Sequence, residues 1–207
     1  MRYRTLLTVA ATGAVLAACQ PRERAATADG MRGGRVTPPF DKPSFTLTAT
    51  DGTAFDFRKE TDGYLTLLFF GYTHCPDICP VHMANLAAVM RDLRPSQRQR
   101  IKVVFVTTDP ARDTLQRIRS WLDNFDRDFI GLTGDAEEIA RAQAAMAVRP
   151  AERGEVADDG SYLVGHAASV FAFTPQDDRG RFLYPFGIRQ ADWAHDLPKL
   201  LGGDWES

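Results

Sequence analysis

Two nearly uninterrupted apolar runs, separated by a helix-like segment, constrain the fold of this chain more than any other feature. The first covers residues 64–71 (YLTLLFFG) and the second covers residues 101–107 (IKVVFVT). Runs of this kind are typical of strands that are covered on both faces. Between them, residues 81–93 carry apolar side chains at helical spacing, which predicts a helix. Because parallel strands need such a crossover, the pattern predicts a sheet with a parallel core and helices on both faces.

Shorter signals complete the predicted order of elements. Residues 45–57 alternate between apolar and polar on either side of Asp51-Gly52, which indicates a β-hairpin. Asp113 or Thr114 is expected to cap the helix that follows the second apolar run. This order predicts a thioredoxin-like α/β sandwich with an added N-terminal β-hairpin. The later predicted elements are, in chain order, a helix over 114–125, an extended segment at 129–132, a helix over 136–148, a charged and turn-rich loop over 149–162, an antiparallel strand pair at 169–174 and 181–186, and a closing helix over 190–201.

The first 18 residues predict that the protein is exported. Two arginines lie within the first four residues, and residues 5–18 are uncharged and mostly apolar, as in a signal peptide. A membrane-spanning helix needs about 20 residues, and this stretch is shorter. It ends in Leu16-Ala17-Ala18-Cys19, which resembles the bacterial lipoprotein box, so Cys19 is expected to be lipidated and to become the first mature residue. The alternative is ordinary cleavage after a small residue, which would leave Cys19 as a free thiol.

The rest of the chain predicts a tether followed by one domain. Residues 19–39 contain almost no large apolar side chains and are expected to form a flexible tether. Residues 40–207 are numerous enough to bury one core. A net charge of −2, without a basic run interleaved with aromatics, argues against nucleic acid as a partner. We therefore expect a lipid-anchored membrane protein that faces the periplasm or the cell exterior.

The segment GYTHCPDICP, residues 71–80, contains the two cysteines that remain when Cys19 is lipidated. Cys75 is predicted just past the end of the first buried strand, and Cys79 at the start of the following helix. A helix N-terminus stabilises a thiolate, and the i, i+4 spacing places both sulfurs on one side of the turn. A disulfide here would close a very short loop and add little stability, which argues against a purely structural bridge. Two thiolates form a soft site that suits Cu(I) or zinc, but a firmly held ion needs a third ligand.

Four histidines are candidates for that third ligand. His195 lies in the closing helix and is expected at the surface, and His82 lies on the first helix, where it is expected to face solvent or to pack locally. His74 adjoins Cys75, but its side chain should point away from that of its neighbour. His166 precedes the strand at residue 169, in a loop that lies beside the cysteine turn in a thioredoxin-like fold. We therefore favour His166 as the ligand.

Three motifs resemble those of one known family. Residues 71–80 look like the Y-T-x-C-P-D-x-C-P signature of the SCO/SenC family of copper chaperones. Residues 108–114 (TDPARDT) resemble its D-P-x-R-D-T segment, and residues 162–166 (YLVGH) resemble its Y-L-V-D-H segment. The likeness extends over residues 43–201, almost the whole predicted domain.

The resemblance implies a membrane-tethered, thioredoxin-like protein that binds copper through Cys75, Cys79 and His166. Cu(I) is the expected ion, and the imidazole also allows Cu(II). Proteins of this family help to assemble the binuclear copper centre of cytochrome c oxidase. The implied partners are the copper-accepting subunit of that oxidase, thiol–disulfide oxidoreductases and, through the lipid anchor, the membrane.

Other residues of the three motifs carry weaker expectations. Gly165 stands where the family usually has aspartate, so a water or another carboxylate would have to orient the histidine. Asp77 is expected to cap the helix or to tune the charge of the site. Asp109, Arg112 and Asp113 are expected to form a turn and cap that hold the loop after the second strand.

Three alternative functions remain open from the sequence. A thiol–disulfide oxidoreductase would use the same two thiols to reduce the cysteines of an exported copper protein. Thioredoxin-type enzymes usually carry a cis-proline before the hairpin, and none stands there in this chain. A peroxiredoxin-like peroxidase is suggested by the fold alone. A closed structural zinc site would need a fourth ligand, for which the sequence offers no strong candidate.

Overall fold

The computed structural model describes residues 30–205, which form a mixed α/β fold. The strands are β1 (Gly34–Asp41), β2 (Thr46–Ala49), β3 (Ala54–Asp56), β4 (Leu65–Gly71), β5 (Ile101–Thr107), β6 (Ile130–Thr133), β7 (Glu152–Arg153), β8 (Val164–Gly165), β9 (Ser169–Phe173) and β10 (Arg179–Pro185). The helices are α1 (Phe57–Glu60), α2 (Ile78–Asp92), α3 (Pro95–Arg98), α4 (Leu115–Leu122), α5 (Ala136–Ala145) and α6 (Gln190–Gly202). The predicted thioredoxin-like order of strands and helices is therefore confirmed.

The two apolar runs form the centre of an eight-stranded sheet with the order β1-β10-β9-β4-β5-β6-β2-β3. β4 and β5 pair in parallel over their full length, from Leu65↔Ile101 to Gly71↔Thr107. The carboxyl ends of both strands therefore reach the same edge of the sheet, where ligands gather in open α/β folds. The cysteine segment leaves the sheet at this edge.

Helices cover both faces of the sheet. Alternate residues of a strand face opposite sides, so Leu67 and Phe69 of β4 pack into one apolar cluster with residues of α2, α4 and α6. Leu68 and Phe70 pack into a second cluster that includes Ile139 of α5. All seven residues of β4 are buried, which explains why its sequence lacks polar alternation.

Both predicted strand pairs are confirmed. β2 pairs antiparallel with β3, and this hairpin joins the sheet through β6, with Thr48 opposite Thr133. β9 and β10 form the second antiparallel pair, and β9 also pairs antiparallel with β4. The start of β9 therefore lies at the same sheet edge as the end of β4, which brings the segment before Ser169 close to the cysteines.

The folded region begins before residue 40, where the sequence predicted the domain to start. Residues 34–39 belong to β1, which pairs with β10, and Met31 is fully buried. The buried carboxylate of Asp196 accepts hydrogen bonds from the backbone N–H groups of Arg32 and Gly33, at 2.9 to 3.1 Å. The composition of this segment did not predict that it belongs to the folded domain, because the residues that hold it lie near the other end of the chain. The predicted signal peptide, Cys19 and the first part of the predicted tether lie outside the described residues.

The loop predicted over residues 149–162 is largely exposed but not wholly irregular. β7 lies within it and pairs antiparallel with β8, with Glu152 opposite Gly165. Because β8 ends directly before His166, this short ladder holds one side of the segment that carries His166, which we call the histidine-bearing segment.

Between residues 30 and 205, the structure contains no helix that is both long and apolar enough to cross a membrane.

Candidate metal centre

Cys75 and Cys79 lie where the chain passes from β4 into α2. Neither forms a disulfide; Cys75 is half-buried and Cys79 is fully buried. Gly71, the last residue of β4, makes room for the buried sulfur, since a Cβ built at Gly71 would lie 2.8 Å from Cys79 Sγ. Such a Cβ would also lie 2.7 Å from the ring of Phe69. A glycine is therefore required at the strand end for the thiol to pack against it.

His166 approaches these sulfurs from the other side of the same sheet edge. One ring nitrogen, Nε2, lies 3.6 Å from Cys79 Sγ. The other, Nδ1, lies 3.0 Å from the carbonyl oxygen of Ala167. A carbonyl can only accept, so Nδ1 carries a proton, and Nε2 is the nitrogen that faces the thiol. The rings of Phe69 and Tyr72 hold the imidazole edge-on, at centroid distances of 5.8 and 5.6 Å.

The structure thus brings the three predicted residues together. The two sulfurs and a ring nitrogen of His166 all lie within 4.8 Å of one another, and within residues 30–205 no other group of three or more His, Cys, Asp or Glu side chains converges in this way. We call Cys75, Cys79 and His166 the donor set.

The two thiols differ strongly in acidity. A hydrogen bond from the Cys79 thiol, followed by bonds from the backbone N–H groups of Cys79 and Asp77, lowers the pKa of Cys75 to about 4. Burial, followed by the neighbouring Cys75 sulfur, raises the pKa of Cys79. Of the two thiols in the apo centre, only Cys79 therefore keeps its proton at neutral pH, while Cys75 is a thiolate.

The Cys75 thiolate occupies the place that a capping side chain would take. Cys79 N lies 3.5 Å from Cys75 Sγ, in the first turn of α2, where backbone N–H groups have no partner within the helix. Asp77 stands at the N-cap position but makes no capping hydrogen bond with its side chain, contrary to one of the two functions predicted for it. The Cys75 sulfur therefore accepts from one of the N–H groups that the helix leaves without a partner.

The other three histidines do not belong to the donor set. His74 Nδ1 lies 3.2 Å from Thr73 Oγ1 and 3.4 Å from an Asp113 oxygen, and His74 is not in the group whose ligand atoms converge. His195 is partly exposed on α6 and bonds to the Asp196 carboxylate at 2.7 Å. His82 does not face solvent, contrary to one of the two predicted placements; it is 1% exposed, and burial lowers the pKa of its ring.

Asp113 fixes the cysteine loop to the end of β5. Its buried carboxylate accepts from Thr73 N at 2.9 Å, Thr73 Oγ1 at 2.6 Å and Thr107 Oγ1 at 2.7 Å. Thr114, not Asp113, caps α4 by accepting from Arg117 N. The sequence showed Asp113 as a turn or cap residue and missed this role, because Thr73, which provides two of the three donors, lies 40 residues away in the chain.

A second polar network ties the histidine-bearing segment to the loop after β5. Arg112 donates to the carbonyl of Tyr162 at 3.1 Å and lies 3.4 Å from the centre of the Tyr162 ring. The Tyr162 hydroxyl donates to Asp109 at 2.9 Å, and Asp109 also pairs with Arg112. Tyr162 therefore has a structural function that its place in the third motif alone did not reveal.

Gly165 stands where the resemblance implied aspartate, and no close contact requires a glycine there. A Cβ at this position would meet only the Glu152 carbonyl oxygen, at 3.7 Å, within the described part of the chain. The orienting partner of His166 Nδ1 is the backbone carbonyl of Ala167, where a water or a carboxylate was expected.

These features define a thioredoxin-like protein with a dithiol–imidazole centre at the carboxyl edge of its sheet. The SCO1/SenC family profile matches residues 37–202, and the chain belongs to this family. A mitochondrial SCO1 homologue from Arabidopsis thaliana is 35% identical over 159 residues, which is 77% of this chain but 44% of the plant protein. A protein of Stutzerimonas stutzeri described as a putative copper-binding protein is 34% identical over 160 residues, 76% of each chain. This chain therefore spans less than half of the plant relative and about three quarters of the bacterial one.

Solved structures agree with this assignment. The solution structure of apo Sco1 from Thermus thermophilus matches 83% of this chain and 97% of its own, with a TM-score of 0.73 and 29% identity. ScoI from Bradyrhizobium japonicum, solved with copper bound, matches 78% of this chain and 99% of its own, with a TM-score of 0.66 and 33% identity.

Proposed function

We propose that this chain is a copper metallochaperone that binds Cu(I) through Cys75, Cys79 and His166 and delivers it to the binuclear copper centre of cytochrome c oxidase. The observation that carries the proposal is the donor set itself. Two sulfurs and one imidazole nitrogen, from segments 87 residues apart, converge at the sheet edge. The copper-bound relative supports the choice of ion.

The chemistry of the donor set fits a soft monovalent ion. Thiolates prefer Cu(I), and an imidazole nitrogen is acceptable to both copper oxidation states. A structural zinc site uses four protein ligands, whereas this centre offers three. Cys75 is already a thiolate, so binding releases a proton only from Cys79.

Delivery requires that the ion can be approached by another protein. Cys75 and His166 are each only half-buried, while Cys79 is enclosed. An incoming thiolate of the copper-accepting oxidase subunit therefore has access on the side of Cys75 and His166, where it can replace these ligands one at a time. Oxidation of Cys75 and Cys79 to a disulfide removes both thiolates, so the redox state gates loading.

The remaining parts of the proposal concern location. We infer that residues 1–18 are a lipoprotein-type signal peptide, that Cys19 carries the lipid, and that the following segment tethers the domain to a membrane outside the cytoplasm. Mass spectrometry of the protein isolated from membranes tests this inference: a diacylated Cys19 at the N-terminus supports it, and an unmodified residue there contradicts it.

Titration of the reduced protein with Cu(I), in competition with a chromogenic chelator, tests the function. The wild type is expected to bind one equivalent, and His166→Ala to bind at least about 10- to 100-fold more weakly, since loss of an outer-shell partner alone has an effect of that size. His195→Ala is the control, since His195 lies on α6 outside the donor set. Unchanged stoichiometry and affinity in His166→Ala would remove His166 from the site.

Thiol–disulfide exchange is a second candidate, favoured by the contrast between the two cysteines. The Cys75 thiolate would attack a disulfide of an exported copper protein, forming a mixed disulfide and expelling one thiolate of that protein. Cys79 would then lose its proton and attack Cys75 Sγ, which releases the second thiolate and leaves a Cys75–Cys79 disulfide. The reduction potential and the rate of insulin reduction decide between the candidates: fast turnover without copper binding would favour exchange.

A further inference from the structure

His82 connects the helix that carries Cys79 to the segment that carries His166. It lies three residues after Cys79 on α2, and only 1% of its surface is exposed. The ring packs against Phe69 at a centroid distance of 5.1 Å and meets Phe186 edge-on at 6.0 Å. Its Nε2 lies 3.2 Å from the carbonyl oxygen of Ala168, two residues after His166.

This geometry fixes the hydrogen on the His82 ring. Because the Ala168 carbonyl only accepts, Nε2 must carry the proton. The other nitrogen, Nδ1, is buried without a hydrogen-bond partner among residues 30–205. A second proton there would be an unpaired charge in an apolar environment, so the ring is neutral. An apolar side chain at this position would leave no unsatisfied nitrogen. The hydrogen bond to the Ala168 carbonyl is therefore what a histidine contributes here and an apolar residue does not.

The segment that receives this bond lies outside the strand ladders. Residues 166–168 fall between β8, which ends at Gly165, and β9, which begins at Ser169. Within this segment the His166 ring is oriented by its own neighbour, Ala167, through Nδ1. That local bond sets the tautomer of the ring, but it does not set where the segment lies relative to Cys79. Phe69 contacts both imidazoles, His82 and His166, and so forms the apolar wall between them.

We propose that His82 is a positioning residue: by donating from Nε2 to the Ala168 carbonyl it anchors the His166 segment on α2 and sets Nε2 of His166 against Cys79 Sγ. His82 does not contact the ion. Its effect is preorganisation, because the helix that presents one sulfur also holds the backbone that presents the nitrogen. This inference rests on the proposed copper site and adds a residue that positions one of its ligands, His166.

A double-mutant cycle tests the proposal on the reduced full-length protein. His82→Phe removes the donor while filling the buried space, and is expected to weaken Cu(I) binding about tenfold, as for loss of an outer-shell partner. The same substitution in a His166→Ala background is expected to change affinity less than about twofold, since the effect acts through His166. His82→Gln keeps an N–H that can reach Ala168 and is expected to restore most of the affinity. Equal losses in both backgrounds, or a His82→Gln protein as weak as His82→Phe, would overturn the proposal.

Measurements on the apo protein separate this proposal from that of copper binding. In wild type, ¹⁵N spectra of the imidazoles are expected to show His82 as the neutral Nε2–H tautomer. In His82→Phe, backbone order parameters of residues 166–168 are expected to fall, whereas those of β9 stay unchanged. An Nδ1–H or doubly protonated His82 in wild type would overturn the positioning function even if His82→Phe failed to fold. Failure of the wild type to bind copper, with the expected tautomer and order parameters, would overturn the proposed function and leave the positioning of His166 supported.

Discussion

At the scale of single residues, two cysteines that share a following proline acquire opposite properties. Each is followed by proline, as Cys75-Pro76 and Cys79-Pro80. Cys75 remains half-exposed and receives hydrogen bonds from the first turn of α2, whereas Cys79 is enclosed by the apolar cluster. The charge of a thiolate is favourable where N–H groups face it and unfavourable where they do not. Folding therefore determines that Cys75 carries the nucleophilic sulfur and that Cys79 carries the protonated one.

The alkylation rate of Cys75 tests this difference. Its pKa of about 4 lies below the ordinary thiol value of 9.0, so the thiolate fraction stays nearly complete as the pH falls from 8 to 5 and declines only near pH 4. The iodoacetamide reaction of apo protein, followed by mass spectrometry at Cys75, should show this profile. Cys79→Ala removes the largest cause of the shift, so its profile should move to higher pH. A wild-type midpoint near pH 8 to 9 would contradict the assignment.

Gly71 provides a second test at this scale. Gly71→Ala forces a Cβ to within 2.8 Å of Cys79 Sγ, so the sulfur or the strand must shift. We expect a loss of about 1–3 kcal/mol in the free energy of unfolding, as for overpacking, together with weaker copper binding. Gly34→Ala in β1 is the control, because its Cβ would meet only the Leu183 carbonyl, at 3.6 Å. Urea unfolding of both variants measures the difference, and equal stability would argue against the packing constraint.

At the scale of elements, the site is held by side chains that attach loops to strand ends. Asp113 joins the cysteine loop to β5, and Arg112 joins the histidine-bearing segment to the same loop through Tyr162. Both anchors follow the second parallel strand, β5, which lies next to β4 in the sheet, on the side away from β9. The donor set therefore depends on polar contacts across elements as well as on the sheet.

Asp113→Ala tests the first of these anchors. The substitution leaves three donor groups, one on Thr107 and two on Thr73, without their acceptor in a buried environment. A loss of about 3 kcal/mol in the free energy of unfolding is expected, because each unsatisfied buried group costs about 1–3 kcal/mol and some regain water. Asp123→Ala is the matched control, since its exposed i, i+4 pair with Arg119 contributes about 0.5 kcal/mol or less. Chemical denaturation gives both values; losses of similar size would show that Asp113 is not a structural anchor.

At the scale of the whole molecule, the two ends of the domain are tied together. Asp196 of α6 is fully buried and accepts hydrogen bonds from Arg32 N, Gly33 N and the Tyr184 hydroxyl. These bonds place the chain so that β1 enters the sheet beside β10, and β1 covers an edge that would otherwise expose unpaired backbone groups. The first residues of the described region are therefore part of the fold.

Asp196→Ala should release this N-terminal segment. The expected result is a loss of at least about 2 kcal/mol in the free energy of unfolding, with faster amide exchange at residues 32 and 33. Tyr184→Phe removes one of the same bonds and should cost about 1 kcal/mol without releasing the segment. Hydrogen exchange by mass spectrometry distinguishes the two variants, and unchanged exchange in Asp196→Ala would contradict the proposed attachment.

The sequence by itself determined the central sheet, the helices that flank it and three residues of the candidate centre. Strongly apolar runs such as residues 64–71 have few alternatives to a doubly covered strand, and the cysteine segment could only follow the first of them. His166 was identified because the expected topology brings its segment to the same sheet edge. These inferences rest on local periodicity and on a small set of permitted connections, which a single chain displays directly.

Only the tertiary structure decided the acidity of each thiol, the burial of His82, the acceptor role of Asp113 and the start of the domain. The last three depend on hydrogen bonds or burial between residues that are far apart in the chain, such as Asp113 with Thr73 and Asp196 with Gly33. The acidity of the thiols depends on how the turn and the apolar cluster surround each sulfur. A pKa or a buried polar contact is set by the three-dimensional surroundings of a group, and no local pattern of residues encodes those surroundings. The sequence indicates which groups are available, and the fold determines which of them meet.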